Sequence, residues 1–131
     1  MKPLRVVLIV TGILCATSVF GLLAPWPAVA NFIEFFGYQP PPADPLVIYF
    51  VRLSATLLTL VGIFFLVLST DPLRYRPMLT LAAAGLLLCA AVCLLTGLLT
   101  QMRPPWYLTD AIFSLLAALL ILKFWPKQPN P

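Results

Sequence analysis

The order of apolar and polar positions divides the chain into four long hydrophobic stretches, joined by short segments rich in proline and charge. The stretches run over 4–24, 46–69, 78–100 and 106–125. A helix rises about 1.5 Å per residue, so about 20 apolar residues cross a hydrocarbon layer of about 30 Å. Each stretch meets that length. Helix pairs every backbone N–H and C=O within its own segment, which an isolated strand in lipid cannot do. The stretches are also too long and too uniformly apolar for the alternation of a barrel strand. The pattern predicts an all-α integral membrane protein, a four-transmembrane-helix antiparallel bundle in which residues 1–131 form a single membrane domain.

Prolines fall at the predicted boundaries. Pro25 and Pro27 close the first stretch, and Pro40, Pro41, Pro42 and Pro45 stiffen the first connection. Pro72 and Pro77 flank the second connection. Pro104 and Pro105 open the fourth helix, where a missing N–H does no harm. The tail from Lys127 onward is expected to fray. The one long connection, 25–45, holds Trp26, Phe32, Ile33, Phe35, Phe36 and Tyr38, with Asn31 and Glu34 as its polar positions. This is too apolar for a loop in water. It reads as a short amphipathic helix lying in the membrane interface, the alternative being an irregular loop packed on the bundle. Trp26, Phe32, Phe35, Phe36, Trp106 and Tyr107 then form an interfacial aromatic belt at one face, with Tyr75 and Trp125 at the other.

Composition narrows the class further. Of 131 residues, 62% are hydrophobic and 9% charged, with a mean hydropathy of +1.04. A soluble domain carries roughly 25% charged residues, and disorder requires low hydrophobicity, so both are excluded. The eight Lys and Arg residues are unevenly placed. Lys2, Arg5, Arg74, Arg76, Lys123 and Lys127 fall on one side of the predicted bundle, against Arg103 in a connection on the other and Arg52 inside a helix. The positive-inside rule puts both termini and the Asp71-to-Pro77 connection in the cytoplasm. A competing parse reads Ala28-Val29-Ala30 as a signal cleavage site, but the preceding apolar run exceeds the usual signal core of roughly 7–15 residues.

Little catalytic chemistry is available. Histidine is absent, which removes the commonest general base and the commonest metal ligand. Cys15, Cys89 and Cys93 sit in apolar runs without a Cys-x-x-Cys pair and read as small apolar residues. The four acids, Glu34, Asp44, Asp71 and Asp110, are scattered, and no glycine-rich phosphate loop occurs. No inverted repeat or broken helix of the transporter kind is visible. No catalytic residue, cofactor, metal site or nucleic-acid contact is expected.

Arg52 is the most informative charge. It lies seven positions past Pro45, about 10 Å along its helix, where a cation is costly unless it finds a partner. Asp110, at similar depth in the fourth helix, is the first candidate for an intramembrane ion pair, and Glu34 the second. The alternatives are a charged pocket opening to the outer face, a structural pair that fixes register, or snorkelling to the interface. Gly85, Cys89, Cys93 and Gly97, spaced by four, form a small-residue stripe suited to helix packing or to an interface with another chain or a lipid. Gly12 and Ala16 repeat the pattern briefly, and Ala111, Ser114 and Ala118 offer small positions in the fourth helix.

Several segments resemble a known family. They are Tyr49 with Arg52, the run Asp71-Pro72-Leu73-Arg74-Tyr75-Arg76-Pro77, and Pro105-Trp106-Tyr107-Leu108-Thr109-Asp110. With the four-helix layout and the aromatic first connection, the chain resembles the small BphX-like membrane proteins, relatives of the DoxX-like group. The resemblance implies a bacterial cytoplasmic (inner) membrane protein, with accessory-subunit roles and links to membrane redox systems known in the DoxX-like group. The expected function is that of a non-enzymatic accessory or assembly subunit, bound to other membrane subunits or to itself within the lipid bilayer. The alternative is a binder of an apolar small molecule, such as a quinone, lipid or pigment, in a pocket at the outer leaflet.

Overall fold

A computed structural model describes residues 2–126. The described chain is 80% helical and has no strand. Its helices are α1 (Lys2–Ala16), α2 (Val19–Leu23), α3 (Trp26–Phe35), α4 (Pro45–Thr70), α5 (Arg76–Leu99) and α6 (Pro104–Lys123). Four helical segments, Lys2–Leu23, Pro45–Thr70, Arg76–Leu99 and Pro104–Lys123, are long and apolar enough to cross a membrane. Their boundaries differ from the expected ranges by a residue or two, apart from an interruption of the first near Thr17 and Ser18. The aromatic connection contains a helix, α3. Lys127 and the tail beyond it lie outside the described residues.

The helix ends follow from local chemistry. Asp44 precedes Pro45, and its carboxylate accepts the Leu46 N–H at 2.7 Å, satisfying a donor that the first turn leaves open. α3 ends where Gly37 takes φ 82°. The Gly37 N–H bonds to Glu34 O at 2.8 Å and the Tyr38 N–H to Ile33 O at 3.3 Å, a Schellman motif. α5 ends the same way, with Gln101 at φ 50° and the Met102 N–H on Gly97 O at 3.1 Å. Several threonines within the apolar helices turn their hydroxyls onto their own backbone. Thr56 donates to Arg52 O at 2.8 Å and Thr59 to Ala55 O at 2.7 Å, so neither of these hydroxyl hydrogens is left without an acceptor.

The chain groups into two compact units. The first comprises residues 2–11 and 66–126. In it α5 and α6 pack along their lengths. Leu79, Ala83, Ala90 and Gly97 are buried on α5, with Leu86 and Cys93 half-buried between them. Ala111, Ser114, Ala118 and Ile121 are buried on α6. Steps alternating three and four residues hold both faces on the 3.6-residue helical period. Leu4, Leu8 and Thr11 of α1 and Leu68 and Ser69 of α4 are also buried in this unit, and the Arg5 guanidinium donates to Thr70 O at 3.2 Å.

The second unit, Gly12–Phe65, holds the end of α1, α2, α3 and most of α4. Its tightest point is Gly62. A Cβ there would lie 2.5 Å from Ala16 N and 2.7 Å from Gly12 O. Backbone meets backbone at this crossing, and Gly12 and Ala16 are the small positions that permit it. Gly85 is the opposite case, with nothing within 4 Å of a Cβ.

Two glycine substitutions should therefore act in opposite directions. Gly62→Leu should destabilise the protein by about 1–3 kcal/mol through overpacking against rigid backbone. Gly85→Ala should stabilise it by about 0.5–1 kcal/mol through the entropy that glycine loses in a helix. Denaturant titration in detergent micelles measures both.

Candidate functional site

The first predicted span is interrupted where Thr17 and Ser18 follow α1. Thr17 donates its hydroxyl to Leu14 O at 2.6 Å. The following N–H groups reach back three residues rather than four: Ser18 N to Cys15 O at 3.2 Å, Phe20 N to Thr17 O at 3.1 Å and Gly21 N to Ser18 O at 2.9 Å. This tightens the helix by a turn of 3₁₀ character before α2. Beyond it Pro25 is extended, at ψ 151°, and redirects the chain into α3.

The break, α3 and one face of α4 enclose a groove of ≈ 780 Å³, entirely within the second unit. α4 contributes Val51, Ser54, Ala55 and Leu58, the spacing of a single helix face. α3 contributes Ala28, Val29, Phe32 and Ile33, while Thr17, Ser18, Phe20 and Gly21 come from the break and α2. At the floor a Cβ on Gly21 would lie 3.3 Å from Ala55 Cβ. The groove is open at the side, for Phe20 is 75% exposed and Phe32 64%. Its lining carries no charged side chain; its polar side chains are the hydroxyls of Thr17, Ser18 and Ser54. The volume matches that of small-molecule sites, roughly 300–1,000 Å³. Without a countercharge it suits an apolar body with one or two hydrogen-bonding atoms.

The residues singled out from the sequence take varied places. Arg52 and Glu34 belong to the second unit and Asp110 to the first, and all three are exposed. The chain's own helices do not supply the burial on which the ion-pair expectation rested. Arg52 is not among the groove residues, although its neighbours Val51 and Ser54 are.

Of the four-residue stripe, Gly97 is buried and Cys93 half-buried, whereas Gly85 and Cys89 are exposed. The reason is rotational. Steps of four overshoot a 3.6-residue turn by about 40° each, so Gly85 has drifted about 120° from Gly97. The packing face follows Leu79, Ala83 and Ala90 instead.

Phe32, Phe35 and Phe36 are exposed, and Phe32 and Phe36 meet edge to face at 4.8 Å. Trp26, Trp106 and Tyr107 are half-buried. Tyr107 lies on Gly97, where its ring occupies the space a Cβ would need; it is a packing residue as well as an aromatic at a helix start. The groove residues Thr17, Ser18, Gly21 and Ser54 were not singled out from the sequence. The signal for the break was there, since Thr17-Ser18 and Gly21 are weak helix formers in succession near the end of an apolar run.

No family model, curated protein or solved structure matches the chain.

Exposure sets the expected energetics of the charges. Arg52→Gln and Asp110→Ala should each change unfolding stability in detergent by at most about 0.5–1 kcal/mol, the scale of exposed charges and surface positions. A loss of about 3–5 kcal/mol in either variant would instead reveal a buried, desolvated pair.

Proposed function

We propose that this chain is a non-enzymatic, multi-pass membrane protein that holds an apolar small molecule in the groove of its second unit. The observation that supports this reading is the groove itself: ≈ 780 Å³, open at the side, with hydroxyls as its polar side chains. A lipid, a quinone or a pigment fits that chemistry, because each offers a long apolar body and few acceptors. In this reading the four apolar segments form an antiparallel bundle across a bacterial inner membrane. α3 lies in the outer interface with its phenylalanines toward the acyl chains. The ligand enters sideways from the bilayer, past Phe20 and Phe32.

A second reading, that of an accessory subunit, draws on a different surface. Gly85 and Cys89 expose a small-residue face on α5, and among the described residues no side chain lies within 4 Å of where a Gly85 Cβ would sit. Such a face permits close approach of another helix, from a larger complex or a second copy. The two readings are compatible, but their tests differ. The resemblance to BphX-like and DoxX-like proteins suits either.

Organic extraction of protein purified in mild detergent, followed by mass spectrometry, should yield one apolar compound near stoichiometry. Ala28→Trp, which puts bulk into the groove from an exposed position on α3, should weaken retention at least about tenfold, equivalent to about 1.4 kcal/mol. Retention unchanged by that substitution would place the compound elsewhere and defeat the groove reading. A co-purifying subunit with no extracted ligand would favour the accessory role.

Topology is checked separately. A reporter fused after Pro131 should be active only in its cytoplasmic form, as the charge asymmetry requires; activity on the opposite side would reverse the proposed orientation.

A further inference from the structure

We propose that one end of the first unit is a binding site for the phosphodiester headgroup of an anionic phospholipid. Five cations gather in this unit at helix ends and in the α4–α5 connection. Lys2 and Arg5 lie in the first turn of α1, Arg74 in the connection, Arg76 at the start of α5 and Lys123 at the end of α6. Two contacts bring these ends together. Arg5 reaches Thr70 O at the end of α4, at 3.2 Å. The Arg76 guanidinium lies 5.7 Å from the ring centre of Trp125, just past α6. The connection from Thr70 to Arg76 is short and folded on itself, with the Tyr75 N–H on Asp71 O at 3.2 Å and the Arg76 N–H on Leu73 O at 3.4 Å. Even fully extended, its six steps would span only about 20 Å.

Among the described residues, none of these five cations is held in an ion pair. Asp71 is the one nearby carboxylate in the connection, and its Oδ1 accepts the Arg74 backbone N–H at 3.2 Å. Arg74 lies 6.0 Å from the Tyr75 ring centre and the Lys123 ammonium 5.8 Å from that of Phe124. An aromatic face steadies a cation without consuming its charge, and guanidinium N–H groups stay available at the edge for a phosphate oxygen. Lys2, Arg5, Arg74 and Lys123 are exposed, and Arg76 is half-buried.

What surrounds the cations selects a lipid rather than a free anion. Val6, Leu73 and Met78 are 58%, 42% and 46% exposed, each within two positions of Arg5, Arg74 or Arg76 in the sequence. A ligand whose phosphate meets the cations therefore meets apolar surface next to them. That combination of anion and hydrocarbon is the chemistry of a phospholipid, and cation clusters at the ends of apolar helices are the usual form of such sites.

The test titrates the full chain in mild detergent with phosphatidylglycerol, phosphatidylcholine or inorganic phosphate, and counts bound lipid by native mass spectrometry. Phosphatidylglycerol should be retained over phosphatidylcholine, with retention falling as salt rises. Arg74→Gln with Arg76→Gln should weaken it roughly thirtyfold, the effect of two cations at a membrane surface, while Arg103→Gln leaves it unchanged. Arg74→Lys with Arg76→Lys keeps the charge and should keep most of the binding, which separates lost charge from lost folding. Equal retention of both lipids, or displacement of phosphatidylglycerol by millimolar inorganic phosphate, would overturn the proposal. So would an acidic protein found on the cations in place of lipid.

Discussion

The polarity of the backbone within long apolar segments governs this protein more than any side-chain contact. With 62% hydrophobic residues, the chain has few polar side chains with which to satisfy stray N–H and C=O groups. Each long segment therefore closes its own ladder, and the ladder is interrupted only where something local takes over. Asp44 supplies an acceptor at the start of α4, and N–H groups of the turns at Gly37 and Gln101 donate to the last open carbonyls of α3 and α5. The hydroxyls of Thr56, Thr59, Ser69 and Thr70 fold back on the α4 ladder. The break at Thr17 and Ser18 fits the same account, because shortened bonds from the Ser18, Phe20 and Gly21 N–H groups replace the regular ones.

That break makes the groove possible. A straight first segment would continue along α4 from the Gly62 crossing. The tightened turn and Pro25 instead lead the chain into α3, and the space left beside α4 is lined by whatever small and aromatic residues the turn exposes. Gly21 near Ala55 keeps α2 close at the floor, while Phe20 and Phe32 stand open at the side. The site depends on a short irregularity, whereas the rest of the second unit depends on one close helix crossing.

This division explains what could be read from the sequence. Segment length, apolarity and proline positions depend on local composition, so the four long helices and the helix in the aromatic connection were legible. The α5 packing face was only half legible. Gly85, Cys89, Cys93 and Gly97 look continuous on paper, but continuity around a cylinder is set by angle, and only the last two turn toward α6. Arg52 is a different case: depth along a helix can be counted, whereas the direction a side chain faces depends on which neighbours pack there. The groove needed the third dimension, since its walls come from two separate stretches of the chain, 17–33 and 51–58.

The α5–α6 contact carries a thermodynamic consequence. Its buried positions are mostly alanine and glycine, with serine, leucine and isoleucine at intervals. Alanine and glycine have no side-chain rotamers to freeze, so joining these two helices costs little conformational entropy. Attraction must then come from close van der Waals contact over a short separation, which is individually weak and falls steeply with distance. Such a seam assembles readily and has little tolerance for displacement: a shift that would merely rearrange the long side chains of an ordinary core would here part the surfaces outright.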